Sequence, residues 1–98
     1  MTAYLVADIE VIDSELYRRY TEQAQPVIYR YGGRYLVRGG RATPLSGDWR
    51  PERLLIIEFE SLEKLRACFD SEAYRRIAPL RERSTRSRSL VVEGFEPT

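Results

Sequence analysis

The most constraining feature of the sequence is a short segment, residues 31–40, that two glycine pairs enclose; its letters are YGGRYLVRGG. Glycine adopts positive φ without steric cost, so Gly32 can end a preceding helix, and the second pair lets a strand bend or bulge. Because side chains of a strand alternate between its two faces, the pattern predicts that Arg34 and Arg38 point to the same face. The segment therefore predicts a strand that follows a helix and begins a hairpin.

Hydrophobic periodicity predicts the elements on either side of this strand. Alternating apolar residues are typical of strands, and apolar residues spaced three or four apart are typical of helices. In chain order the pattern predicts a strand at 4–11, a helix that begins after Asp13, the strand within 31–40, a strand at 53–59, a helix that Ser61 caps and that restarts at Asp70-Ser71, and a strand at 88–95. Pro26 predicts a kink or a restart in the first helix, and Pro79 a disturbance of the second, because proline lacks a backbone donor and clashes one turn back.

The order strand, helix, strand, strand, helix, strand predicts a ferredoxin-like α+β domain over residues 1–98. Right-handed crossovers predict a four-stranded antiparallel sheet in the order 4-1-3-2. Both helices then cover one face of the sheet, and the other face presents apolar side chains to solvent, namely Val6, Leu54, Ile56 and Val91. Since an exposed apolar sheet face usually marks a partner surface, the sequence predicts a homodimer built sheet to sheet.

Composition excludes several functional classes. The chain contains no histidine, the commonest transition-metal ligand and general base, and its single cysteine, Cys68, lies on an apolar helical stripe where a buried side chain is expected. We therefore expect no metal and no cofactor. The formal net charge of +1 and the lack of a long apolar run predict a cytoplasmic protein that binds neither nucleic acid nor membrane, and the arginines of residues 75–88 are interpreted as a solvated helix face.

A set of residues, taken in order, is characteristic of a known family. The set comprises residues 31–40, Gly47-Asp48-Trp49, Arg53 through Phe59, Asp70-Ser71-Glu72-Ala73-Tyr74 and Pro79-Leu80-Arg81. With it the chain resembles domain-of-unknown-function family 1330 over nearly its whole length. The resemblance implies a dimeric α+β barrel, in which two ferredoxin-like sheets pack face to face. It leaves the activity open, since the wider superfamily includes cofactor-free monooxygenases, lactone isomerases, haem-dependent enzymes and ligand-binding regulators.

The open sheet face supplies the candidate site. Parity along the first strand places Tyr4 and Asp8 on this face, and the antiparallel register of the hairpin places Arg34 beside Glu58. Arg38 lies on the same face if side chains alternate regularly along the whole second strand. The sequence therefore predicts a cluster of Tyr4, Arg34 and Glu58 in a cleft at the dimer interface, with Asp8, Glu10 and Arg38 on the same face.

Two interpretations of this cluster stay open. In the first, Arg34 and Glu58 form a partly buried cross-strand ion pair that specifies register. In the second, the cluster is a site: Arg34 and Arg38, together with Asp8, hold the substrate. Glu58 then moves a proton with Tyr4 close enough to share the network.

The aromatic residues and the function also have alternatives. Trp49 is either a substrate-binding lid over the cleft or a side chain packed on its own hairpin. The helix tyrosines, interpreted as core, are Tyr17, Tyr20, Tyr31 and Tyr74. The predicted function is a homodimer that binds a small organic acid or carbonyl compound near the sheet–sheet interface, with cofactor-independent proton transfer as its chemistry. The alternative is a non-catalytic dimeric interaction or regulatory module.

Overall fold

The computed structural model describes residues 1–97 of the chain, and its helices and strands follow the predicted order. The elements are β1 (Ala3–Val11), α1 (Ser14–Arg30), β2 (Arg34–Arg38), β3 (Arg53–Phe59), α2 (Leu62–Phe69), α3 (Glu72–Ser84) and β4 (Thr85–Glu93). The second helical region is divided into α2 and α3, where Asp70-Ser71 predicts a restart. Thr98, the last residue of the predicted domain, lies outside the described residues. Within residues 1–97, none of the helices has the length and apolarity that crossing a bilayer requires.

Local chemistry decides where the helices begin and where α1 ends. Each helix starts after a polar side chain that accepts a hydrogen bond from the backbone N–H three residues on. These caps are Asp13 to the N–H of Leu16 (3.0 Å), Ser61 to that of Lys64 (3.2 Å) and Ser71 to that of Tyr74 (3.1 Å). Gly32, with φ of 83°, ends α1 in the left-handed conformation that favours glycine. The predicted capping residues are therefore confirmed.

The four strands form one antiparallel sheet in the order β2-β3-β1-β4, which confirms the predicted order. All three helices lie on one side of it, so the fold is ferredoxin-like α+β, and the Cα atoms extend over only 45 × 39 × 16 Å. The uncovered side is called the outer face below. It carries Tyr4, Val6 and Asp8 of β1, Leu54, Ile56 and Glu58 of β3, Arg34 and Val37 of β2, and Arg88, Leu90 and Val92 of β4.

The core lies between the sheet and the helices. Its buried side chains include Ala3, Ile57 and Phe59 from the sheet and Ala24, Val27, Ile28, Leu65, Cys68 and Ile77 from the helices. The rings of Phe59 and Phe69 meet edge to face with centroids 6.0 Å apart. At the start of β2, a Cβ on Gly33 would lie 2.6 Å from Ile28 Cγ2 and 2.9 Å from the ring of Phe59. The backbone therefore packs directly on the core at a position that only glycine can occupy.

Both prolines inside helical segments are accommodated without a break. Pro26 lies in α1 and Pro79 in α3, and each helix is continuous across its proline. The helix therefore does not restart at Pro26, and the alternative, a kink there, stays a prediction. Ala24 and Val27, on either side of Pro26, are buried in the core, and this packing offsets the local cost of proline, which is about 3 kcal/mol.

The side chains of β2 do not alternate regularly between the two faces of the sheet. Its register with β3 shifts between Tyr35 and Val37, which is a β-bulge of one extra residue. Arg38 therefore pairs with Leu55 and lies on the helix side of the sheet, whereas Arg34 stays on the outer face. The prediction that the two arginines share a face is wrong, because alternation assigns faces by counting residues and an inserted residue reverses every assignment after it.

The last strand differs from its prediction in both range and phase. It begins at Thr85 rather than Arg88, because its backbone pairs with the whole of β1 regardless of how polar its side chains are. Val91 lies opposite Leu5 and so belongs to the helix side, while Leu90 lies opposite Val6 on the outer face. The placement of Val91 on the outer face is therefore wrong. Residues 90–92 are all apolar, so the sequence pattern does not indicate which of them face the helices. Only the pairing with β1 decides that.

Cys68 is fully buried, with none of its surface exposed, which confirms its predicted role as a small core residue. Burial raises the pKa of its thiol from 9.0 to about 11. In the unfolded chain the thiol ionises at its ordinary pKa, whereas in the folded chain it resists ionisation. The unfolded state therefore releases more protons as the pH rises from about 9 to about 11, and the folded state loses stability over that window.

We expect the free energy of unfolding of the wild type to fall more steeply than that of Cys68→Ala over this pH window. The difference in slope should reach at most about 1.4 kcal/mol per pH unit, the value for one proton. Urea denaturation at several pH values measures both slopes, and the tyrosines that also titrate at high pH are common to both proteins. Parallel curves would contradict the expectation.

Candidate functional site

A large cavity lies between the helix side of the sheet and the three helices, with a volume of about 900 Å³. Its apolar wall is formed by Leu5, Ala7 and Ile9 of β1, Leu55 and Ile57 of β3, Ala24 and Ile28 of α1, Leu65 and Phe69 of α2, and Ala78 of α3. Protein interiors normally contain few voids larger than a water molecule, and ligand sites have volumes of roughly 300–1,000 Å³. The size and lining of this cavity make it the candidate site.

The polar lining of the cavity is strongly biased towards positive charge. It contains five arginines, Arg18, Arg38, Arg53, Arg75 and Arg81, against a single acid, Glu52. Arg18 pairs with Glu15 and Glu22, and Arg81 lies 3.9 Å from Glu82, but the other three form no ion pair among residues 1–97. No group of three or more metal-ligating side chains in that range could hold a metal ion. The cavity therefore favours an anionic ligand on Coulombic grounds.

Arg38 and Arg53 lie against aromatic rings of the cavity wall. The Cζ atom of Arg38 is 4.9 Å from the ring centroid of Tyr35, and its Nη1 donates to Gln25 Oε1 at 2.9 Å. The Cζ atom of Arg53 is 5.5 Å from the ring of Tyr17. Burial raises the pKa of Tyr17, and both guanidinium groups oppose that rise, so the two cations act on the same part of the cavity. A guanidinium stacked on a ring is held in place while its N–H edge can still bind an oxyanion.

A hydrogen-bonded chain of two tyrosines and an arginine, called the tyrosine relay below, forms another part of the wall. The hydroxyl oxygens of Tyr20 on α1 and Tyr74 on α3 are 2.7 Å apart. Arg81 Nη1 donates to the Tyr74 oxygen at 2.8 Å. Burial raises the pKa of Tyr20, which keeps its hydroxyl protonated and able to donate. All three residues line the cavity.

The predicted cluster of Tyr4, Arg34 and Glu58 lies on the outer face, on the opposite side of the sheet from the cavity. The register places both Tyr4 and Arg34 opposite Glu58, as predicted. Arg34 Nε is 3.6 Å from Glu58 Oε1, and the two side chains are 72% and 24% exposed. An ion pair this exposed contributes at most about 1 kcal/mol. None of the three residues lines the cavity. The catalytic role of Glu58 and Tyr4 and the substrate-binding role of Arg34 stay predictions.

Asp8 and Trp49 meet elsewhere on the outer face. Trp49 Nε1 donates to Asp8 Oδ2 at 3.0 Å, and Arg88 reaches the same oxygen at 3.3 Å. The hollow beside them has a volume of about 360 Å³, and Val6, Leu54 and Leu90 complete its apolar lining. Trp49 is 53% exposed and ties the connection between β2 and β3 to β1 on the outer face, and its role as a lid over a cleft there stays a prediction.

Arg38 is the predicted site residue that lines the cavity, and it does so because of the bulge in β2. Sequence reasoning missed Arg53 and the tyrosine relay. Tyr20 and Tyr74 are buried, as their interpretation as core residues requires, but they also carry hydroxyls that need partners. One sequence signal could have indicated the relay. Arg81 follows Tyr74 by seven residues, about two helical turns, so both side chains lie on the same side of α3.

The fold and the cavity together define the class of protein to which the chain belongs. The chain is a ferredoxin-like α+β protein with an arginine-lined cavity, partly open to solvent, between its sheet and its helices. Residues 2–95 match the model of the family described as domain of unknown function, DUF1330, and the chain belongs to that family. No curated protein resembles the chain in sequence at a significant level.

Solved structures resemble the chain in fold. A protein of unknown function from Rhodopseudomonas palustris is 19% identical with a TM-score of 0.81, covering 98% of this chain and 84% of that one. SnoaB, a cofactor-independent oxygenase from Streptomyces nogalater, is 10% identical with a TM-score of 0.67, covering 98% and 95%. A conserved protein from Methanosarcina mazei is 17% identical with a TM-score of 0.58, covering 97% and 95%. At these identities the similarity shows the fold alone.

Proposed function

We propose that the protein binds a small organic acid or carbonyl compound in the helix-side cavity, with the apolar part of the ligand among the aliphatic and aromatic side chains. The anionic end lies at Arg38 and Arg53. The observation that carries this proposal is a cavity of about 900 Å³ whose lining combines an apolar wall with five arginines and one acid. The sequence placed the ligand at the sheet–sheet interface, and the proposal moves it to the other side of the sheet.

The chemistry that this site supports is proton transfer without a cofactor. The chain has no histidine, so the titratable side chains of the cavity wall other than arginine are tyrosines and Glu52. SnoaB, which shares the fold, is a cofactor-independent oxygenase, and this supports a reaction in which the protein alone supplies the catalytic groups. Because one fold hosts many reactions, the resemblance does not select one of them.

A homodimer formed through the outer face is part of the same proposal. Leu90 and Val92 are 56% and 46% exposed, and Val6, Leu54 and Ile56 extend the apolar surface across the sheet. An obligate interface of this kind should bury more than about 2,000 Å² in total. This face is also what favours the alternative function, a non-catalytic dimeric module in the cytoplasm. Occupation of the cavity by a ligand distinguishes the two functions.

The test uses 8-anilinonaphthalene-1-sulfonate, a dye with an aromatic body and an anionic group that fluoresces in apolar surroundings. We expect it to bind the wild type, and Ala78→Phe, which adds a ring to the cavity wall, to weaken its binding at least about tenfold. Arg38→Gln should weaken it by a similar factor, because a charge-assisted hydrogen bond contributes about 1.5–3 kcal/mol. Fluorescence titration measures all three dissociation constants.

The matched controls change the same residue types outside the cavity. Ala67→Phe adds a ring on an exposed position of α2, and Arg30→Gln removes a charge at the end of α1. Both should bind the dye like the wild type. Equal binding by wild type and Ala78→Phe would mean that the dye lies elsewhere, for instance on the outer face, and the cavity proposal would be abandoned in favour of the dimeric module.

A further inference from the structure

The tyrosine relay carries more hydrogens than it has acceptors for. Arginine only donates, so the Tyr74 oxygen accepts from Arg81. Tyr20 and Tyr74 each bring one O–H hydrogen, and only one of the two can lie between oxygens that are 2.7 Å apart. Among residues 1–97, neither hydroxyl has another hydrogen-bond acceptor. One O–H hydrogen of the pair therefore needs an acceptor that the described chain does not supply.

This surplus hydrogen lies on well-packed, buried side chains that face the cavity. Tyr20 is 9% exposed and Tyr74 is 4% exposed, and both line the cavity. The ring of Phe69 packs edge to face on Tyr74 with centroids 4.8 Å apart, which limits movement of that ring. Leaving a buried donor unsatisfied is unfavourable, so a ligand whose acceptor reaches this hydrogen should bind about fivefold to a hundredfold more tightly than one whose acceptor does not.

The charge behind the relay selects the kind of acceptor. Arg81 polarises the Tyr74 hydroxyl and makes the pair a stronger donor. Its nearest carboxylate, on Glu82, is 3.9 Å away and 65% exposed, so that pairing is weak. The remaining charged groups of the cavity wall add to the same preference, since Arg38, Arg53 and Arg75 outnumber Glu52. An oxygen that carries negative charge therefore gains most from the relay.

We propose that the tyrosine relay binds the anionic oxygen of a phenol or an enol, so that the cavity takes up such weak acids in their deprotonated form. On binding, the O–H bond of the ligand breaks, the electron pair stays on its oxygen and the proton passes to the solvent. The inference rests on the proposed function and deepens it by naming the ligand class and the group that recognises it. Tyr20 and Tyr74 keep their own protons and act as donors.

The test uses 4-nitrophenol, whose phenolate absorbs visible light and whose neutral form does not. The pH is set about one unit below the pKa of the free compound, so that most of it is neutral in solution. In the wild type we expect the ratio of phenolate to phenol in the bound state to exceed the solution ratio at least about tenfold. Tyr74→Phe and Arg81→Gln should each lower the bound ratio at least about threefold, the value of one modest hydrogen bond.

Three further variants make the result interpretable. Tyr20→Phe removes the other hydroxyl and serves if Tyr74→Phe does not fold. Tyr29→Phe and Arg76→Gln are matched controls on the exposed surfaces of α1 and α3, and both should keep the wild-type ratio. Arg38, Arg53, Arg75 and Glu52 are unchanged throughout, so a difference between variants reports on the relay.

The outcomes separate this inference from the proposed function. If the bound ratio in the wild type equals the solution ratio, or if the relay variants keep the wild-type ratio, the relay does not bind an oxyanion. The same conclusion follows if 4-nitrophenol fails to displace 8-anilinonaphthalene-1-sulfonate from the cavity. In all three cases dye binding that Ala78→Phe weakens still supports the cavity as a ligand site, whereas dye binding that Ala78→Phe leaves unchanged overturns both proposals.

Discussion

Replacing Phe59 with alanine should lower the free energy of unfolding by about 3–5 kcal/mol. The side chain is 1% exposed, and its ring packs on Phe69 and on the backbone at Gly33. Truncation leaves a void that these neighbours cannot fill, because the backbone of Phe59 is held at the end of β3 by its pairing with Ala3 of β1. Chemical denaturation followed by circular dichroism measures the change.

The chain offers a matched control for this substitution. Phe95 is 88% exposed, so Phe95→Ala should change the free energy of unfolding by less than about 0.5 kcal/mol. Similar losses for the two variants would show that Phe59 is not part of a packed core. Since the cavity wall shares Ile57 and Phe69 with that core, Phe59→Ala should also weaken dye binding, whereas Phe95→Ala should not.

The second large effect concerns the proposed dimer. Ile56 lies in the middle of the outer face, opposite Val6 on β1 and Val37 on β2. In a two-fold symmetric dimer both subunits carry the substitution at the interface. Ile56→Arg would therefore bury two unpaired charges. We expect a loss of at least about 3 kcal/mol of association free energy, which is a rise of more than about a hundredfold in the dimer dissociation constant. Light scattering behind a sizing column should then give the mass of one chain instead of two.

The control for this variant is Leu45→Arg, at a fully exposed position in the connection between β2 and β3. It should keep the native mass of the wild type. Ile56→Arg should keep its far-ultraviolet circular dichroism, because the core and the cavity lie on the other side of the sheet. A wild type with the mass of one chain at micromolar concentration would end the dimer proposal, and a dimer that survives Ile56→Arg would place the interface elsewhere.

The elements of the fold were predictable because their signals are local. Caps such as Asp13 and Ser71 mark helix starts through hydrogen bonds within three residues, and Gly32 ends α1 through its own φ. The strand order then follows from the handedness and shortness of connections, which constrain every chain of this size. The contact of Arg34 with Glu58 was also predicted, and the observed register on that side of the bulge agrees with it.

The candidate site was less predictable, and Arg38 shows why. Its face depends on one extra residue between Tyr35 and Val37, which no alternation pattern records. The phase of residues 90–92 depends on pairing with β1, because an unbroken apolar run has no period. Tyr20 and Tyr74 lie 54 residues apart, and periodicity along one helix cannot indicate a hydrogen bond between two.

The sequence by itself determined the helices, the strands, their order and the buried nature of Cys68, because caps, periodicity and connection geometry act over a few residues. Only the tertiary structure decided which side of the sheet holds the cavity. A cavity exists where the helices and the sheet fail to fill the space between them, and that depends on the summed volumes of side chains from all seven elements. The charge around it has the same origin, since Arg38, Arg53 and Arg81 come from β2, β3 and α3 and meet only when the chain is folded.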